Sequence, residues 1–92
     1  MITRAETYGD RHYINAKAKI AHPMADEVSI AMGDGAYARF PYSVELAFFK
    51  NGDWVNEPLP EFAALYSHEV YPYVPLIYFA QFMENYATRG EF

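Results

Sequence analysis

Three histidines, His12, His22 and His68, are the side chains best suited to metal binding or proton transfer near neutral pH, and Asp10 and Glu69 stand close to two of them. They are scattered along the chain rather than set at the i, i+4 spacing that puts two ligands on one helix face. They are expected as surface or capping residues, with no metal bound. Ser67-His68-Glu69 contains the letters of a nucleophilic triad. The segment is expected at a helix end, where neighbouring side chains point about 100° apart and cannot form a triad among themselves. Glu57 and Glu61 form an acid pair of the kind used in glycosidic chemistry. Next to Pro60, though, they suit the positive start of a helix. Gly33-Asp34-Gly35 lacks the lysine and following helix of a phosphate loop and is expected to be a turn. No catalytic residue and no cofactor is therefore expected.

Aromatic residues offer a different chemistry. Phe49 and Trp54 flank Asn51-Gly52 and could stack nucleobases, but that also needs a positive groove, and Lys50 is the only base in this hairpin. Packing beneath a helix is the expectation for the pair, which is kept as a secondary candidate patch. The stretch SHEVYPYVPLIYF, residues 67–79, places Tyr71 and Tyr73 between two prolines. In an extended segment the two tyrosines share one side, with Pro72 and Val74 opposite. The prolines lower the entropy lost on fixing the segment, which favours either a packed corner or a pre-organised binding surface. With Tyr66, Glu57 and Glu69 nearby, an acidic, tyrosine-rich patch is expected, with at least one tyrosine in the core.

The elements that must position these groups follow from periodicity. Ile14, Ala16, Ala18 and Ile20 alternate with Asn15, Lys17 and Lys19, as in a strand with one wet face. The two lysines suit a sheet edge. Val28, Ile30 and Met32 alternate in a second strand, and Ala36 to Phe40 reads as a short third one. Asn51-Gly52 is a strong two-residue hairpin cue, pairing Phe49 with Trp54 and leaving Val44, Leu46, Phe48 and Val55 on the core side. Pro60 opens an expected helix carrying Phe62, Leu65, Tyr66 and Glu69, which Pro72 stops by Val70 or Tyr71. Pro75 opens a second, with Leu76, Phe79, Ala80, Met83, Tyr86 and Ala87 as its apolar stripe and Gly90 as its C-cap. The expected fold class is α+β: an antiparallel β-meander of four to five strands followed by two α-helices packed on the sheet, in a single domain over residues 1–92.

The chain has 92 residues, enough to bury roughly 60–65% of the unfolded surface. Its hydrophobic fraction of 52% argues against disorder, and it has no cysteine for a disulfide or thiolate site. The charged N-terminal stretch and the short, proline-interrupted apolar run from Tyr71 to Ala80 fit neither a signal peptide nor a membrane span, so a cytoplasmic location is expected. Residues 1–50 hold six acids and six bases, whereas residues 51–92 hold six acids against Arg89 alone; the whole net charge of −5 thus lies in the second half. That distribution disfavours direct nucleic-acid binding and suits a partner with a basic surface.

In size, absent cysteine, acidity and α+β pattern, the chain resembles the small bacteriophage-encoded inhibitors of the anti-CRISPR type. The resemblance implies a non-enzymatic inhibitor in the cytoplasm of a bacterial host, binding a CRISPR effector or similar ribonucleoprotein where guide RNA or target DNA would sit. Asp53, Glu57, Glu61, Glu69 and Glu84 would then stand in for phosphates, a form of DNA mimicry, with Tyr66, Tyr71 and Tyr73 as anchors; a net charge of −5 is mild for such a mimic, so blocking by shape or holding the effector inactive is equally open. The alternative is a homo-oligomeric structural or assembly protein, with a homodimer formed through the Lys17/Lys19 strand or the tyrosine face.

Overall fold

The computed structural model describes residues 2–7, 13–33, 36–38 and 42–88. Strands β1 (Ile2–Thr7), β2 (Tyr13–His22), β3 (Ala25–Gly33) and β4 (Ser43–Lys50) form an antiparallel meander. The outer edge of β4 is shared. The short β5 (Asp53–Trp54) pairs with its end at Phe49 and Lys50. The later strand β6 (Tyr71–Pro75) pairs with its start, at Ser43, Val44 and Leu46. A 3-10 segment (Pro60–Leu65) links β5 to β6, and helix α1 (Leu76–Tyr86) follows β6 directly.

The strand period decides the faces. Ala18, Val28 and Phe48 lie abreast across β2, β3 and β4, as do Ala16, Ile30 and Leu46, and all six are buried. Leu59, Phe62, Tyr71, Val74, Phe82 and Met83 cover this face. Phe48 sits at the centre, with Tyr71 edge-on at 5.3 Å, Phe82 at 5.6 Å and the Phe62 ring stacked at 6.3 Å between centroids. Such contacts add to plain area burial and suit a core with many aromatics.

The hairpin at Asn51-Gly52 forms as expected. Both residues take positive φ (53° and 82°), and Val55 N–H bonds back to the Phe48 carbonyl at 2.9 Å. Val44, Leu46 and Phe48 are fully buried, with Val55 packed partly against them.

Several expectations are corrected. The first helix is only a 3-10 segment of six residues, interrupted at Phe62 (φ −127°, ψ 17°), and Tyr66 beyond it is already extended. The chain then enters a second tight hairpin. Ser67 and Val70 exchange backbone bonds of 2.8 and 3.1 Å, and His68 and Glu69 between them take φ of 51° and 69°. Tyr71 to Val74, expected as an extended segment between two helices, belongs instead to a strand of the sheet, β6. Lys17 and Lys19 do not mark an edge, because β1 pairs along the outer side of β2; they project from the open face of an internal strand. Ala36 to Ala38 form a bend rather than a strand, and Arg39 and Phe40 lie outside the described residues. Helix α1 ends at Tyr86 because Ala87 turns extended to bridge Ile20, so Gly90 is not its immediate cap; Gly90 lies outside the described residues.

Candidate binding surface

The β6–α1 junction is built around a break in strand alternation. Tyr71 pairs with Leu46 and Val74 with Val44, so three residue steps on β6 face two on β4. The extra residue is absorbed at Tyr73, whose φ is +54°. Such a bulge re-aims a side chain, and left-handed dihedrals on a large residue concentrate at functional sites. Tyr71 and Tyr73 therefore point apart instead of sharing a side. Tyr71 is wholly buried, its hydroxyl accepting the Leu59 N–H at 2.9 Å, and burial pushes that phenol up from its ordinary pKa. It belongs to the core and cannot anchor a partner. Tyr73 is 50% exposed.

Beyond Pro75, the helix begins Leu-Ile-Tyr-Phe. Four successive large apolar residues at about 100° each cannot all face one core. Ile77 and Tyr78 are 62% and 55% exposed, and Leu76, expected in the apolar stripe, is also exposed. The preceding loop joins the same region: Tyr73 N–H donates to the Tyr37 carbonyl at 2.8 Å and Leu76 N–H to the Tyr42 carbonyl at 3.0 Å. Tyr37 and Tyr42 are both exposed. Tyr37, Tyr42, Tyr73, Leu76, Ile77 and Tyr78 thus emerge around one junction as an aromatic and aliphatic ridge. The LIYF run was the sequence signal for it.

The other expected site residues fall into separate places. Asp53 and Glu57 line an open cleft of about 300 Å³ with Lys50 and Trp54 at the β4–β5 hairpin. The Trp54 indole N–H donates to the Glu69 carbonyl at 2.9 Å, which brings the 68–69 turn alongside. Glu84 lies on the outer face of α1, one heptad beyond Ile77. Tyr66 is half-buried, its ring 5.1 Å from that of Tyr71 and its hydroxyl bonded to the Asn56 carbonyl. The acids are exposed, but they form no single face.

Among the described residues, no helix covers the sheet face bearing Phe49 and Trp54, contrary to expectation, because the 3-10 segment and α1 both pack beside Phe48. Trp54 meets Phe49 edge-on at 5.0 Å, and the Lys17 ammonium stands 5.2 Å from the Phe49 ring. Trp54 is 45% exposed.

Glu61 occupies a more elaborate setting. Its carboxylate lies 3.1 and 3.2 Å from His22 Nε2 and accepts the Tyr86 hydroxyl at 2.8 Å. Burial pushes the Glu61 pKa up, but its backbone bond, Tyr86 and His22 outweigh this and hold it below the ordinary carboxylate value. The bond to Glu61 raises Tyr86 in turn. His22 is buried rather than a surface residue, packed against the rings of Phe82 and Tyr86. The Met24 N–H donates to Nδ1 at 3.0 Å, which leaves the proton on Nε2, directed at Glu61. Both ring nitrogens are thus engaged, so His22 has no free lone pair with which to act as a base. Beside this cluster a cleft of about 370 Å³ opens between the 3-10 segment and α1.

Ser67 Oγ and His68 Nδ1 lie 3.0 Å apart. These two side chains converge because the segment is a turn, whereas adjacent residues of a helix diverge. Among the described residues, no carboxylate orients the His68 ring, as a catalytic triad requires. His12 and Asp10 lie outside the described residues, and among those described no group of three or more His, Asp or Glu could hold a metal ion. No described helix is long and apolar enough to cross a membrane.

Compared with family models, curated proteins and solved structures, the chain matches none.

Proposed function

We propose that this chain is a non-enzymatic protein-binding module that docks through the Tyr73–Tyr78 ridge and acts as an inhibitor of a partner with a basic surface. The exposed ridge is the observation that carries this reading. Roughly 150–250 Å² of surface per aromatic side chain makes six half-exposed large residues comparable to the largest apolar patches on monomers, which often mark interaction sites. Tyrosine is enriched at interface anchors, and the bulge at Tyr73 with the flanking prolines fixes the ridge before a partner arrives. The exposed acids of the second half, though dispersed, supply steering toward a basic surface. Within this function, inhibition of a CRISPR effector is the form that the sequence resemblance implies, with blocking by shape favoured over phosphate mimicry because the acids are dispersed.

The test is affinity capture from bacterial lysate with the wild-type chain and with Ile77→Asp in parallel, identifying what is retained. Ile77 is largely exposed, so the substitution leaves thermal stability within about 0.5 kcal/mol. The expected result is a nucleic-acid-binding assembly held by the wild type and lost by the variant. Equal retention by both chains, or recovery of only a second copy of this chain, overturns the proposal.

A further inference from the structure

We infer that the cleft between the 3-10 segment and α1 receives the guanidinium of an arginine side chain from the partner. This rests on the docking role proposed above and names the chemistry of one contact within it.

The cleft of about 370 Å³ combines two kinds of wall. Phe62 and Phe82, their centroids 5.2 Å apart, meet Tyr86, whose ring is 4.8 Å from that of Phe82. Tyr78 closes one side, and Gln81 and Asn85 line the solvent side. Among the described lining residues, Glu61 supplies the only charge. No lysine or arginine lines the cleft among the described residues.

This combination selects its ligand. An anion is repelled by Glu61, and a purely apolar group would desolvate the carboxylate without repaying it. Phe62 and Phe82 are almost wholly buried, so Tyr78 and Tyr86 present the ring surface that attracts a cation. A carboxylate offers about four lone-pair positions; the Tyr86 hydroxyl, the shared His22 proton and the Glu61 backbone bond take three, which leaves one for a further donor. The amide oxygens of Gln81 and Asn85 add acceptors. A planar group with five donors that stacks on rings uses all of these better than a compact ammonium does. Tyr78 belongs both to this cleft and to the ridge, so an arginine beside the apolar anchor of one partner reaches both.

The test is a nuclear magnetic resonance titration of the isotopically labelled full chain with N-acetyl-arginine amide, N-acetyl-lysine amide and N-acetyl-citrulline amide. The expected result is saturable shifts at the backbone of Tyr78, Gln81 and Asn85 with the arginine compound. Its affinity should be at least threefold tighter than that of the lysine compound and at least fivefold weakened by Glu61→Gln. Asn85→Ala, on the exposed helix face, should also weaken it and remains informative if Glu61→Gln disturbs the His22 packing. Equal response to citrulline overturns the need for charge, an equal or tighter lysine response overturns the guanidinium assignment, and absence of shifts overturns the site. These outcomes are separate from the Ile77→Asp result, which tests the ridge alone.

Discussion

Glu61 holds two neighbours at once, and its acidity records the arrangement. Its carboxylate accepts from Tyr86 and faces the Nε2 proton of His22, so it stays ionised to lower pH than in the unfolded chain. A folded-state pKa below the ordinary 4.5 means that the unfolded chain binds more protons in that window. The stabilisation is therefore present above about 4.5 and lost as pH falls through the lowered folded value. Following the Glu61 side-chain carboxyl resonance through an acid titration should show a midpoint below 4.5 in the wild type. Tyr86→Phe, which removes one donor, should move it upward and flatten the acid limb of the melting temperature. A wild-type midpoint at the ordinary value would refute this account of the cluster. Neither partner was legible in the sequence, because His22, Glu61 and Tyr86 are distant along the chain and meet only once α1 folds back over the end of β2.

The elements that sequence made plain were those whose signal is local. Alternation in Ile14 to Ile20 and Val28 to Met32, and the positive φ demanded at Asn51-Gly52, each depend on a few neighbouring residues, and each appears in the structure. The 60–70 region misled because Phe62, Leu65, Tyr66 and Glu69 have helical spacing while their roles differ: Phe62 enters the core, Tyr66 packs on Tyr71, and Glu69 sits in a turn. Strand β6 was hidden because its alternation is broken at Tyr73. The 67–70 hairpin also holds two non-glycine residues in left-handed dihedrals, where Cβ costs roughly 1–2 kcal/mol per residue. Glu69→Gly relieves that strain and keeps the carbonyl that Trp54 uses. Offset by glycine's greater freedom in the unfolded chain, roughly 0.5–1 kcal/mol, it should raise stability by up to about 1 kcal/mol, read as an increased denaturant midpoint with unchanged slope. A lowered midpoint would show that the Glu69 side chain contributes more than its backbone strain costs.

For the molecule as a whole, charge and apolar surface have separate roles. The ridge supplies area that resists dissociation, whereas dispersed carboxylates act mainly on the encounter. Asp53 and Glu57 test that division because both are exposed at the β4–β5 hairpin and neither lines the Glu61 cleft. Replacing both by lysine changes the formal net charge from −5 to −1, each substitution contributing +2. Against the partner recovered by the wild-type chain, the double variant should associate about tenfold more slowly at low salt, with its dissociation rate nearly unchanged. Raising ionic strength from about 0.01 M to 0.15 M shrinks the screening length from about 30 Å to about 8 Å, so the wild-type advantage should fade across that range. Ile77→Asp should show the opposite pattern, with faster dissociation at every salt concentration. If the lysine variant matches the wild-type association rate at low salt, the acidic half does no steering and recognition rests on the ridge and its adjoining cleft. If both variants instead slow association and leave dissociation alone, the ridge is not buried in the complex, and the partner must engage another face of the sheet.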